Sequence, residues 1–170
     1  MHTILIAMSM IFQTSIYTHS ITDVNGTSIP LSNFQGKKIL LVNIATGSER
    51  VNQLAGLQQL HQQYHDSLVI IAFPSNSFGH EALSNAEIKT FCLSNYTTGF
   101  IIAQKNAVTG SSLQSVYSWL GNANDNGASA ITVVNDFQKI LLDKYGDIIA
   151  IYAPTVSPTD AALQTAITSN

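Results

Sequence analysis

The chain has 170 residues, of which 45% are hydrophobic and 10% are charged, and its formal net charge is −3. This composition favours one globular domain with a hydrophobic core and excludes an intrinsically disordered chain. No run of Lys or Arg is present, so a nucleic-acid partner is not expected. The single cysteine, Cys92, excludes an internal disulfide, a CxxC redox pair and a multi-cysteine metal site.

Residues 1–14 contain an apolar stretch of about nine residues, which is too short to cross a bilayer but suits a secretory signal. We therefore expect export to the periplasm or the medium, with residues 15–170 as the mature domain and no membrane association of that form. No Lys or Arg precedes the apolar stretch. A buried first strand in a cytoplasmic protein is the alternative.

The first half of the chain predicts a hairpin followed by a parallel βαβ unit. The segments 15–21 and 28–31 flank Asn25-Gly26, which is a strong hairpin signal. The nearly continuous apolar run 38–44 predicts a central strand, helical spacing continues from 51 to 65, and 68–73 forms a second buried run. Two such strands joined by a helix form a parallel pair.

The second half predicts a helix, two antiparallel strands and a last helix. Ser84 or Asn85 caps a helix over 86–93, a short strand lies at 100–102, and a helix over 111–120 ends at the long loop GNANDNG. Strands at 137–143 and 147–152 precede a helix that Ser157-Pro158 opens. This order predicts an α/β, thioredoxin-like fold in which helices flank a central mixed sheet. Ser48 then lies beyond the carboxyl end of a strand, where such sheets bind ligands. We expect its turn to direct the side chain at solvent, beside the first amides of a helix.

Several motifs are similar to those of the glutathione peroxidase family, in family order and at family spacing from about Ser15 onward. The segments are LSNFQGK from Leu31, VNIA from Val42, FPSNSFG from Phe73, EIKTFC from Glu87 and YAPT from Tyr152. The resemblance implies a thioredoxin fold and thiol-dependent reduction of hydroperoxides as part of the response to oxidative stress. It implies thioredoxin or glutathione as the reductant and no cofactor.

The resemblance also places the family's catalytic tetrad, and none of its four identities is kept. The reactive cysteine or selenocysteine falls on Ser48, and the Gln of the family falls on Ser77. The Trp and Asn fall on Asn135 and Asp136. Because four positions differ together, natural divergence explains them better than an engineered Cys→Ser change.

Serine at position 48 changes the chemistry that is available. Direct attack on an O–O bond needs a soft, ionised nucleophile, and a thiol with a pKa of about 8.5 can be tuned to supply one. A serine hydroxyl lacks both properties and needs an adjacent base even for acyl transfer, and the neighbouring sequence supplies none. We therefore expect peroxidase activity to be absent or very low. The turn is not GxSxG, and no order of His and Asp in the sequence suggests a hydrolase triad.

Cys92 has two interpretations. Some two-cysteine members of the family carry their resolving cysteine here, so Cys92 is a possible resolving or reactive thiol. Ile88, Phe91 and Cys92 also form an apolar helical stripe, which favours packing in the core. His61 and His65 lie four residues apart but lack a third ligand, so we expect a solvated helix face and no metal site.

The Ser48 turn, the loop from Ser75 to Gly79 and Asn135-Asp136 are expected to converge in a shallow polar pocket at a helix N-terminus, which would suit a small anion or a peptide backbone. Gly47, Asn76 and Phe78 belong to this predicted pocket. A noncatalytic binding or interaction role is therefore the main alternative, and a residual peroxidase that depends on Cys92 is another. No long insertion is present that would build an oligomer face, so a monomer is expected.

Overall fold

The central sheet of the protein has five strands in the order β5-β4-β3-β6-β7. The computed structural model describes residues 13–169. Strands β3, β4 and β5 run parallel, β6 is antiparallel to β3, and β7 is antiparallel to β6. The strands are β1 (Ser20–Thr22), β2 (Ser28–Pro30), β3 (Lys38–Ile44), β4 (Leu68–Pro74), β5 (Ile101–Ile102), β6 (Lys139–Leu142) and β7 (Ile148–Tyr152). The helices are α1 (Gln53–Tyr64), α2 (Asn85–Tyr96), α3 (Ser115–Leu120), α4 (Ala123–Asn126) and α5 (Ala161–Thr168).

The alternation of side chains along β3 builds a core on each face of the sheet. Ile39 and Leu41 pack with the β1-β2 hairpin and α3. Leu40 and Val42 face the other way and pack with apolar residues of α1, α2 and α5. Because both faces are covered, the strand reads as an uninterrupted apolar run in the sequence. The predicted α/β architecture with a hairpin and a mixed central sheet is confirmed.

The predicted hairpin, the parallel β3-α1-β4 unit and the antiparallel β6-β7 pair are all present. The hairpin turns at Gly26, whose φ of 86° is a conformation that glycine adopts without steric cost. The first predicted strand is shorter than expected, because Ile16–Thr18 forms a 3-10 turn that Ser15 caps. The predicted signal segment lies almost entirely outside the described residues.

Three predictions of local structure in the second half were wrong. The segment GNANDNG is not an open loop, because Asn122 caps the short helix α4 within it. The helix predicted from 111 begins only at Ser115. The last helix begins at Ala161, and its cap is Asp160, whose Oδ1 accepts a hydrogen bond from the Ala162 amide at 2.8 Å, and not Ser157. Several short polar residues before a helix compete to cap it, and sequence spacing alone does not decide which one succeeds.

Within residues 13–169, none of the helices has the length and apolar character needed to cross a membrane.

Candidate functional site

Three loops meet at the carboxyl ends of β3 and β4. The Gly47 amide donates to the His80 carbonyl at 3.0 Å, which joins the turn after β3 to the loop after β4. The Ser75 amide donates to Ile44 at 3.0 Å, and the Phe137 amide donates to Asn43 at 2.6 Å, so the segment before β6 meets the same end of the sheet. The predicted convergence of these three segments is therefore present in the structure.

Gly47 is required by this close approach. A Cβ atom built on Gly47 would lie 2.7 Å from the His80 carbonyl oxygen, which is closer than real Cβ contacts. Any other residue here would separate the turn from the His80 loop. Gly47 therefore has a steric role in backbone packing, and its place in a binding pocket stays a prediction.

Ser48 does not point into open solvent, as its turn position had suggested. The residue is 4% exposed, and its Oγ accepts a hydrogen bond from the Arg50 amide at 3.3 Å. The expected helix N-terminus is also displaced, since α1 begins only at Gln53. Consecutive i to i+3 bonds, such as that from Val51 to Ser48 at 3.0 Å, occupy the intervening residues. The amide and the carbonyl of Ser48 are both used within the turn, since the Ser48 amide donates to the Ala45 carbonyl at 3.3 Å.

Ser77 stabilises a neighbouring loop and makes no hydrogen bond to Ser48 among the described residues. Its Oγ accepts bonds from the amides of Val108 at 3.1 Å and Thr109 at 3.3 Å, and from the Ser75 hydroxyl at 3.0 Å. Asn76 likewise accepts from the Glu81 amide at 3.0 Å, and the partly buried Phe78 packs against the core beside the hairpin. All three side chains therefore have structural partners within the protein.

Asp136 and His80 form a short hydrogen bond that was not predicted from the sequence. His80 Nδ1 lies 2.6 Å from Asp136 Oδ2, with the Asp136 side chain fully buried and the His80 side chain 49% exposed. The second oxygen, Asp136 Oδ1, is buried and has no hydrogen-bond partner within residues 13–169. Asn135 contributes no comparable contact, since its Oδ1 accepts from the Asp136 amide at 2.8 Å. The sequence feature that could have identified His80 is its position in the loop after β4, because that loop lies at the same end of the sheet as Ser48.

Glu81 is a second buried carboxylate beside the Ser48 turn, and it is fully bonded. Its Oε2 accepts from the Thr46 amide at 2.7 Å, while Oε1 accepts from the Thr46 hydroxyl at 2.8 Å and from the Leu83 amide at 3.2 Å. The residue is completely buried. Glu81 therefore holds the turn that carries Ser48 against the loop that carries His80.

Cys92 lies in the core between α2 and the sheet and is fully buried. Burial, together with the negative charge of Glu81, raises the pKa of its thiol to about 12. A thiol that is buried and protonated at neutral pH is a poor nucleophile. The structure therefore favours the packing interpretation of Cys92 over that of a reactive thiol.

Lys139, the first residue of β6, carries a buried amine. It is fully buried, and its Nζ donates to the Phe137 carbonyl at 2.8 Å. Burial, with a further contribution from the charge of Arg50, lowers the pKa of Lys139 to about 8. Lys139 is thus a desolvated cation bonded to the residue that follows Asp136.

His61 on α1 and His65 at its C-cap lie side by side. Their ring centroids are 6.4 Å apart, and His61 also packs edge-on against Phe100. Burial lowers the pKa of His61, and the neighbouring His65 lowers it further. No group of three or more potential metal ligands occurs in the part of the chain that the structure describes.

A cavity of about 810 Å³ opens at the other end of β3 and was not predicted. Lys38, Tyr145 and Ile149 contribute to its walls. Lys38 Nζ already donates to the carbonyls of Ala166, at 2.7 Å, and Ile167, at 3.1 Å, at the end of α5. The charge of Lys38 is therefore used to cap a helix, and the Nζ of Lys144, which also lines the cavity, lies 5.3 Å from the centroid of the Tyr145 ring.

Comparisons with known proteins agree on the family and the fold. A family model described as glutathione peroxidase matches residues 16–121. The glutathione peroxidase of Lactococcus lactis subsp. cremoris (strain MG1363) is 33% identical over 148 residues, which are 86% of this chain and 94% of the relative. The crystal structure of Trgpx in apo form has a TM-score of 0.69 and 26% identity, covering 91% of this chain and 93% of that one. A thioredoxin-like protein from Aeropyrum pernix has a TM-score of 0.60 and 17% identity, covering 88% and 86%. The resemblance and the thioredoxin-like fold predicted from the sequence are confirmed.

Proposed function

The chain belongs to the glutathione peroxidase family, whose reaction is the reduction of hydroperoxides, and we propose that this member has lost that activity wholly or nearly so. We propose that the pocket around Ser48 is kept as a binding site. One observation carries the proposal: the only thiol of the chain, Cys92, is fully buried in the core.

The family reaction starts when a thiolate attacks the O–O bond. Sulfur is oxidised to a sulfenic acid, a second thiol condenses with it to a disulfide with release of water, and a further thiol reduces that disulfide and restores the reactive thiol. Ser48 occupies the position that the resemblance assigns to this nucleophile, and a hydroxyl has no such ladder of reversible oxidation states. Cys92 could replace it only if peroxide reached the core and the thiol ionised there. A pKa raised to about 12 opposes ionisation at neutral pH.

The binding role is supported by the polar groups that remain at the end of the sheet. His80 is half exposed, and Asp136 beneath it has a buried oxygen without a partner in the described residues. Buried polar groups are usually hydrogen-bonded, so an unpartnered one at the bottom of a site favours a ligand or an ordered water. The carboxylate of Asp136 disfavours an anionic ligand, against the small anion that the helix N-terminus had suggested.

Consumption of hydrogen peroxide and of an organic hydroperoxide by the purified protein tests the loss of activity. Thioredoxin and glutathione serve as alternative reductants, because the family resemblance suggests both. We expect no turnover above the protein-free rate from the natural chain or from the Cys92→Ala variant. Turnover by the natural chain that disappears in Cys92→Ala would instead identify a residual peroxidase that depends on Cys92.

A Ser48→Cys variant provides the matched comparison in the same assay. It restores a thiol at the family position while leaving the other three tetrad positions unchanged. We expect slow, stoichiometric reaction with peroxide, because the thiol lacks the Gln, Trp and Asn that the resemblance places around it. Export through residues 1–14 is part of the proposal, and the N-terminal sequence of the protein recovered from its native host tests it.

A further inference from the structure

His80 and Asp136 have the geometry of a base and the carboxylate that orients it. The distance of 2.6 Å between His80 Nδ1 and Asp136 Oδ2 is that of a short, charge-assisted hydrogen bond. An ionised carboxylate only accepts hydrogen bonds, so the proton of a neutral His80 lies on Nδ1 and the lone pair on Nε2. The other nitrogen of the ring, Nε2, is therefore the available base.

The two residues are held rigidly with respect to each other. Asp136 is completely buried, and its backbone is fixed by the bond from the next amide, that of Phe137, to Asn43. The backbone of His80 is fixed by the bond from Gly47, while nearly half of its side chain is open to solvent. A buried carboxylate beneath a half-exposed imidazole stabilises the imidazolium that forms when Nε2 takes a proton.

Ser48 follows directly after the glycine that binds the backbone of His80. Its hydroxyl oxygen accepts one bond, from the Arg50 amide at 3.3 Å, which is at the long end for a hydrogen bond. Within residues 13–169 the hydroxyl donates to no acceptor, and it makes no hydrogen bond to the imidazole. Contacts between a nucleophile and its base are often longer in unliganded enzymes and shorten when substrate binds.

We propose that Ser48, His80 and Asp136 form a hydrolytic site for small, activated acyl esters. In the first step, Ser48 Oγ forms a bond to the acyl carbon while His80 Nε2 takes the hydroxyl proton. The bond from the acyl carbon to the leaving oxygen breaks, and the leaving group receives that proton from Nε2. Water then attacks the acyl group through the same base, which releases the carboxylic acid and restores Ser48. No oxidant or reductant is consumed.

The burial of Ser48 limits the size of the acyl group. A residue that is 4% exposed can be reached only by a slender group that enters beside His80. Acetyl esters with a good leaving group therefore suit the site better than branched or long-chain esters. A preference for short acyl groups would therefore distinguish the proposed site from an exposed histidine, which would react with short and long esters alike.

This inference uses the ligand pocket of the proposed function but does not depend on the loss of peroxidase activity. If the natural chain reduced hydroperoxides, the proposed function would fail while the ester hydrolysis could still be measured. If the natural chain showed neither peroxidase activity nor ester hydrolysis, the proposed function would stand and this inference would fail. The two assays share no substrate and no reductant.

Hydrolysis of p-nitrophenyl acetate by the full chain tests the proposal, with p-nitrophenyl butyrate as the longer substrate. We expect hydrolysis above the protein-free rate, faster with the acetate, and a fall of roughly 100-fold in kcat/KM in Ser48→Ala and in His80→Gln. Asp136→Asn is expected to lower kcat/KM by about tenfold or more, since it weakens the orientation and charge stabilisation of His80. His65→Gln, which changes an exposed histidine at the C-cap of α1, is the matched control and should retain the natural rate.

A covalent readout separates a serine nucleophile from a reactive histidine or lysine. Mass spectrometry of the protein quenched during turnover should locate an acetyl group on the peptide that contains Ser48, and His80→Gln should reduce it. Circular dichroism shows whether each variant is folded. The proposal is overturned if no hydrolysis exceeds the protein-free rate, or if Ser48→Ala or His80→Gln folds and hydrolyses the ester like the natural chain. Acetylation confined to other residues also overturns it.

Discussion

Glu81 and Asp136 are both fully buried carboxylates at the same end of the sheet, and they differ in how completely they are bonded. Both oxygens of Glu81 accept hydrogen bonds from Thr46 or Leu83. Asp136 uses one oxygen for His80 and leaves the other without a partner in the described residues. The two carboxylates therefore have different roles, although their burial is the same.

The difference separates the scaffold of the site from its chemistry. A buried carboxylate with both oxygens directed at fixed donors stabilises the fold, because removing it leaves several donors unpaired. A carboxylate that binds one half-exposed imidazole and has an unpartnered oxygen contributes less to the stability of the fold. Its main effect is on the orientation and basicity of that imidazole. The structure places the first kind under the turn of Ser48 and the second kind under His80.

The largest expected effect concerns Lys139, the buried cation that bonds to the residue after Asp136. Because burial lowers its pKa from 10.5 to about 8, the unfolded chain binds more protons than the folded chain between these values. The charged amine therefore lowers the free energy of unfolding below pH 8, and this penalty disappears as the pH rises to 10.5. The shift corresponds to about 3 kcal/mol.

Urea unfolding of the natural chain and of Lys139→Met across pH 7 to pH 10.5 measures this effect. The stability advantage of Lys139→Met should shrink by about 3 kcal/mol over that range. Cys92 acts in the opposite direction above pH 9, since its pKa is raised, but it does so equally in both chains. Lys89→Met, at an exposed position, should show no such trend, and a constant difference for Lys139→Met would contradict the buried-cation interpretation.

The second effect is that of Glu81→Gln. The amide group of the glutamine would turn an N–H toward donors that now bind a carboxylate oxygen, leaving buried donors unpaired. We expect a loss of about 2 kcal/mol in the free energy of unfolding, measured by urea denaturation. Glu87→Gln is the control: Glu87 also accepts bonds from a backbone amide and a hydroxyl, those of Ser84, but at an exposed helix cap. A loss no larger than that of the control would show that the bonds of Glu81 do not hold the turn.

The sequence predicted the sheet, the hairpin and the family, because these follow from patterns that repeat along the chain. The run 38–44 is apolar since both faces of β3 are covered, and Asn25-Gly26 marks a turn by its conformational preference. The positions of Ser48, Ser77, Asn135 and Asp136 came from the family resemblance. Their local surroundings did not, because those depend on contacts between distant segments.

Two features of the site show where sequence reasoning ended. Ser48 was expected at the solvent-exposed start of a helix, and the turn at 48–52 buries it instead. His80 was overlooked because its partner, Asp136, is 56 residues away, and only the meeting of the loops after β4 and before β6 joins them. The absence of a base near Ser48 in the sequence was therefore not evidence that the folded site lacks one.

The smallest effect is expected from Asp136→Asn, which is the counterpart of Glu81→Gln. An asparagine Oδ1 can still accept the bond from His80 Nδ1, and the change removes a buried charge whose second oxygen has no partner among residues 13–169. The lost charge assistance and the relieved desolvation oppose each other, so the free energy of unfolding should change by less than about 1 kcal/mol. The same urea experiment measures both variants. Equal losses in Asp136→Asn and Glu81→Gln would show that the two carboxylates are alike in stabilising the fold, whereas a small loss that accompanies a large fall in ester hydrolysis would assign Asp136 to the chemistry of His80.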